Sequence, residues 1–119
     1  MRYLSDEWID EANTAVAGLE PASEPFAVTY SVVDGPDGDR TYTIDLGAPS
    51  VRVDGEAPVG LRMTWDVAKA IALGEVSAQR AFLDGDMQII GDAQALVGNS
   101  DGMVAVDGAL ADLRAATVY

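Results

Sequence analysis

Hydrophobic and polar positions follow two periods along this chain, and the switches between them mark its elements. Near the start, Trp8, Ile9, Ala12, Val16 and Leu19 fall on one stripe at helical spacing. Ser5 stands at the N-cap, with Asp6 and Glu7 in the first turn, where the helix dipole favours negative charge. Leu4 and Ile9 occupy the two positions of a hydrophobic staple, and Gly18 with Pro21 ends the helix. From Phe26 the period becomes two. Phe26, Val28, Tyr30 and Val32 alternate with Ala27, Thr29, Ser31 and Val33, the pattern of a half-buried strand. The turn-rich loop Asp34-Gly35-Pro36-Asp37-Gly38-Asp39 leads into a partner strand carrying Tyr42, Ile44 and Leu46. Val51 and Val53 flank Arg52 in a third strand, ended by Asp54-Gly55, and Leu61, Met63 and Trp65 alternate with Arg62 and Thr64 in a fourth. Four strands in succession, joined by short turns, predict an antiparallel meander.

The second half turns helical. Asp66 is placed to cap a helix over Val67–Leu73, which Gly74 ends in the left-handed conformation. Ser77 starts a short helix over Ala78–Leu83, and Asp84-Gly85 reads as a tight turn. Met87 and Ile89 then alternate with Gln88 in a fifth strand, Asp92 caps a helix over Ala93–Val97, and Gly98-Asn99-Ser100 breaks it. The last helix places Met103, Val104, Val106, Leu110 and Leu113 on one face, with Gly108 inside it at a cost of ~1 kcal/mol relative to Ala. The order α, four β, two α, β, α predicts an α+β fold, a mostly antiparallel five-stranded sheet with helices layered on one face. Residues 1–119 are read as one domain without repeats or linker.

Composition narrows the chemistry. A hydrophobic fraction of 49% supports a core, and no apolar run approaches the ~20 residues of a membrane-spanning helix. Without cysteine there is no disulfide framework and no thiolate; with an N-terminus that turns acidic at once, a cytoplasmic protein is expected. Twenty acids against seven bases leave a net charge of −13, a field that repels nucleic acid and anionic membranes. The same charge suits a salt-adapted source, a cationic partner, or a carrier of apolar ligands that must stay off the bilayer. No histidine occurs, which removes Ser-His-Asp machinery, histidine-ligated metals and the commonest general base. Asp34, Asp37 and Asp39 lack the spacing and the glycine of a calcium loop, so no metal and no cofactor is expected. Gly85, Gly91 and Gly98 stand too far apart for a dinucleotide fingerprint, and Lys69 reads as a snorkelling surface lysine. A carboxylate-using enzyme stays open in principle, but twenty scattered acids single out no pair.

The segment from Trp65 to Asp92 carries a resemblance. Gly74, Ala81-Phe82, Gly85, Met87, Ile89 and Gly91-Asp92 resemble the signature of the sterol carrier protein 2 family, as in a stand-alone bacterial-type member. The resemblance implies a five-stranded sheet and a helical layer enclosing a hydrophobic tunnel, and binding of sterols, fatty acids or other lipids without catalysis. The glycines serve turns and Phe82 serves packing. Tyr30, Met63, Trp65, Phe82, Met87, Met103 and Leu110 are the expected ligand-binding residues, and the last helix, after a flexible Gly98–Gly102, is the expected lid. The rival reading keeps the fold with a filled cavity, as an interaction module that forms a homodimer or serves an enzyme partner.

Overall fold

Ser5 caps the first helix as its spacing predicts: its Oγ accepts the Trp8 N–H at 3.2 Å, and α1 runs Asp6–Val16. Trp8, Ile9, Ala12 and Val16 make its buried stripe, and both staple residues, Leu4 and Ile9, are buried. The computed structural model describes residues 1–22, 25–53, 55 and 57–119. Five strands follow the expected pattern: β1 (Ala27–Val33), β2 (Arg40–Asp45), β3 (Ser50–Arg52), β4 (Val59–Thr64) and β5 (Met87–Gly91). Phe26 and Leu46 flank β1 and β2 rather than belonging to them, although both stay buried. Val53 lies beyond β3 and is 54% exposed; Asp54, expected to end that strand, is outside the described residues.

The strands do not form a meander. Their order in the sheet is β3-β2-β1-β4-β5, and β4 pairs with β1 in parallel, while the other three pairings are antiparallel. The sheet is therefore mixed but mostly antiparallel, with β1 at its centre. Register aligns the apolar positions into rows across one face. Val51, Ile44, Val28 and Val59 form one row, Tyr42, Tyr30, Leu61 and Ile89 the next, and Met63 faces Met87 in a third. The opposite face carries Thr29, Ser31, Thr43, Arg62 and Gln88, and the Thr29 and Thr43 hydroxyls hydrogen-bond at 3.1 Å. A one-residue slip would exchange the two faces, so burial of the first face fixes the register.

The helices cover that first face. α1 lies along β3, where Asn13 Oδ1 accepts the Val51 N–H at 2.9 Å. The second helix, α2 (Trp65–Ala72), begins earlier than its sequence suggests. Thr64 is its N-cap and accepts the Val67 N–H, Asp66 sits in the first turn, and Trp65 is helical rather than the end of β4. Gly74 adopts a φ of +76° and closes this helix as expected. Ser77 caps α3 (Ala78–Leu83), and Gly85, at φ +80°, turns the chain into β5. In α3 it is Ala81 that packs inward, whereas Phe82, expected to pack, is 45% exposed; a six-residue helix offers only one inward position here. Asp92 caps α4 (Ala93–Gly98) through the Ala95 N–H.

The last helix, α5, spans Ser100–Ala111, so Ser100–Gly102 form its first turn instead of a flexible approach. Leu113 falls beyond it, and Val104 is 69% exposed, off the predicted face. Gly102 explains the close approach of this turn to the sheet end: a Cβ there would stand 3.0 Å from Leu46 Cδ1. A parallel bridge between Arg2 and Val118 ties the two ends of the chain together. Among the described residues no helix is long and apolar enough to cross a membrane.

Candidate functional site

The centre of the helix-covered face is aromatic. Tyr30 and Tyr42 lie opposite each other across β1 and β2, and their rings stack with centroids 5.0 Å apart and planes 5° from parallel. Tyr42 meets Trp8 edge-on at 5.9 Å, Trp8 meets Tyr3 edge-on at 5.1 Å, and Tyr3 tilts against Trp65 at 6.4 Å. Edge-to-face and offset pairs of this kind contribute about 0.5–1.5 kcal/mol each beyond area burial. The row thus joins α1, the sheet and the start of α2 into one rigid wall. Beside it, Met63 and Met87 are buried and directly opposed across β4 and β5.

The helical wall is less complete. Ile71 of α2, Leu96 of α4, and Met103 and Leu110 of α5 are only half-buried, as are Tyr30 and Ile89 beneath them. α3, α4 and α5 together contribute only Ala81 and Val106 to the fully buried core. The layer between sheet and helices is therefore tightly packed at its α1 end and loosely packed toward α2 and α5.

Burial holds the phenols of the layer in their neutral form. Burial raises the pKa of Tyr3, with a further push from Tyr119. Burial likewise raises Tyr30 and Tyr42, reinforced in both by the negative charge of Asp107 and by neighbouring tyrosines. All three stay protonated at neutral pH, as hydrogen-bonding and stacking groups. Asp107 is raised too, by burial, although its carboxyl keeps contact with water. Among the described residues no group of three or more acids is placed to hold a metal ion. What this arrangement offers is apolar area with a few convergent polar atoms, the makings of a binding layer.

The seven residues singled out from the sequence are distributed as follows. Tyr30, Met63 and Met87 share the helix-covered sheet face, and Met103 and Leu110, on α5, are partly buried and packed against the core. Trp65 sits at the head of α2 and borders a surface hollow of about 700 Å³. That hollow is lined also by Met1, Arg2, Tyr3, Asp34–Asp37, Val118 and Tyr119. Phe82 lies at the outer side of α3. A second hollow of about 260 Å³, between Val16, Leu46, Gly102 and Val106, includes none of the seven. Tyr42 and Trp8 belong to the layer and were not singled out.

No family model and no curated protein matches the sequence. Solved structures do. A crystal structure of sterol carrier protein 2 superposes with a TM-score of 0.76 over 93% of this chain and 98% of its own, at 12% identity. Palmitated SCP2L2 from Aedes aegypti gives a TM-score of 0.64, 18% identity, and coverage of 85% and 94%. Sterol carrier protein 2 from the same mosquito, in complex with the C16 fatty acid palmitate, gives 0.60, 19%, and 88% and 98%. The chain has the sterol carrier protein 2 fold, which is the fold expected from the Trp65–Asp92 segment.

Proposed function

We propose that this chain is a member of the sterol carrier protein 2 family, acting as a single cytoplasmic unit that binds lipid-like molecules and carries them without catalysing a reaction. The observation that carries this reading is the half-buried apolar layer between the Tyr30 row of the sheet and helices α2 and α5. In a fold whose similar structures include two with palmitate, that layer is where a ligand adds most burial. A C16 chain could gain on the order of 10 kcal/mol gross at ~0.8 kcal/mol per methylene, before ordering costs. The proposed lining is Tyr30, Met63 and Met87 below, Met103 and Leu110 above, and Trp65 and Phe82 at the two sides. The methionines suit this work because their side chains adapt to irregular apolar shapes.

Native mass spectrometry of protein purified without detergent, followed by titration with the uncharged fluorophore Nile red, tests the reading. Co-purified lipid or saturable binding that alkyl ligands displace supports it. Protein that is ligand-free, with only linear and non-displaceable dye signal, refutes it.

A second reading is favoured by a separate observation. Leu83, Ile90, Val97 and Val104 are each more than half exposed on the outer side of the helices and β5. Large apolar side chains at the surface suit a partner, either a second copy or an enzyme. Light scattering across a concentration series checks it: a monomer at all concentrations removes the homodimer.

A further inference from the structure

We propose, resting on the carrier reading above, that the smaller hollow of about 260 Å³ seats the methyl end of a long alkyl ligand, and that Gly102 sets the longest chain the protein holds. The floor of this hollow is core. Val16 of α1, Leu46 just past β2 and Val106 of α5 line it, and they are only 1%, 5% and 1% exposed. Leu46 continues the alternation of Tyr42 and Ile44, which face the helices. Val106 shares a helical stripe with Met103 and Leu110. The hollow therefore adjoins the same sheet–helix layer as the proposed ligand, at the end where α5 begins. The chain beyond α5 reaches the other hollow, of about 700 Å³, where Val118 and Tyr119 lie with Trp65.

The two hollows differ in what they can hold. The larger mixes aromatic rings with the charges of Arg2, Asp34 and Asp37. The smaller is apolar apart from Glu20 and Asp45, and the Asp45 carboxylate is already engaged by the Gly47 and Ala48 N–H groups and the Arg52 guanidinium. Among the described residues no cation and no side-chain hydrogen-bond donor lines it, so an anionic or hydroxyl head would give up its water there without compensation. A hydrocarbon end gives up nothing. Gly102 is the wall position without a side chain. A Cβ there would stand 3.0 Å from Leu46 Cδ1, so a larger side chain must enter the hollow or drive Leu46 across it. Either movement shortens the space. Gly108 of the same helix is the natural control, because a Cβ there meets nothing within 4 Å.

Displacement of Nile red by laurate, myristate and palmitate at pH 7.5, run on the wild type, Gly102→Leu and Gly108→Leu, tests the assignment. In the wild type affinity should rise with each added pair of methylenes through palmitate. In Gly102→Leu the rise should stop at myristate: palmitate loses at least tenfold while laurate stays within twofold of the wild type. Gly108→Leu adds the same side chain at an exposed position of α5 and should keep the wild-type series. Ala105→Leu fills the hollow from an exposed position one turn on and gives the same reading should Gly102→Leu fold poorly. Laurate and palmitate falling by the same factor in the hollow-filling variant, or neither falling, overturns the proposal and leaves the carrier reading standing. A wild type that takes up no Nile red, or yields it to none of the three acids, overturns both readings together.

Discussion

Replacing Gly91 by alanine should destabilise the protein more than replacing any other glycine of the Gly74–Gly91 stretch. Gly91 ends β5 with φ +90°, a conformation that side chains rarely adopt, and it pairs in register with Val59. An added Cβ would lie far inside van der Waals contact with the Pro58 carbonyl oxygen, and that atom belongs to backbone leading directly into β4. The left-handed strain alone costs about 1–2 kcal/mol. Because the collision is with backbone, relief needs a shift of the Val59–Gly91 pairing, which brings the total to about 3–4 kcal/mol. The control is Gly85→Ala: its φ is +80°, but a Cβ there meets nothing within 4 Å, so it reports strain without collision. At roughly 3–5 °C per kcal/mol for a domain of this size, Gly91→Ala should lower Tm by roughly 9–20 °C and Gly85→Ala by roughly 3–10 °C. Thermal and urea unfolding followed by circular dichroism give both numbers. Equal losses in the two variants would refute the reasoning, because the contact with Pro58 would then contribute nothing.

Three further outcomes follow from the same geometry. Ile44→Ala, at a site 1% exposed between Val28 and Val51, should cost about 2–5 kcal/mol in urea unfolding with no change in slope. Asp45→Ala should lower Tm at neutral pH. Burial opposes ionisation of Asp45, but the Ala48 N–H, the Arg52 guanidinium at 3.2 Å and the Gly47 N–H outweigh it and hold the carboxyl below its ordinary 3.8. That contribution is complete above pH 3.8 and is lost as pH falls through the lower folded value, so the wild-type advantage should shrink only in strong acid. Asp107→Asn should behave in the opposite sense. Burial raises the carboxyl of Asp107, so folding favours its protonated form, and that benefit fades as pH rises through the folded value. The variant should therefore melt higher than wild type at pH 7, by a margin that closes toward pH 4 in melting scans; a margin that is constant with pH would show that the charge is not responsible.

What was legible in the chain was what is determined within a few residues. Ser5, Ser77 and Asp92 cap helices because each side chain needs only an N–H three residues ahead, and Gly74 and Gly85 turn because each needs only its own φ. Even the boundary error at Trp65 is local, since Thr64 and Asp66 are both cap-forming residues and Thr64 took the position. Strand order is a different kind of quantity. Four alternating segments in succession are equally compatible with a meander and with a chain that carries its fourth strand across the sheet. The segment between Arg52 and Val59 has to cross three strand spacings, roughly 14 Å at ~4.8 Å each, which six residues can reach at ~3.3 Å per residue. Its length therefore permits the crossing without announcing it; the gain comes from placing Val59 and Leu61 beside Val28 and Tyr30 at the sheet centre. The same logic separates the site residues. Tyr30, Met63 and Met87 could be placed from alternation within single strands, whereas the Tyr30–Tyr42 stack depends on the register in which β1 and β2 are brought together.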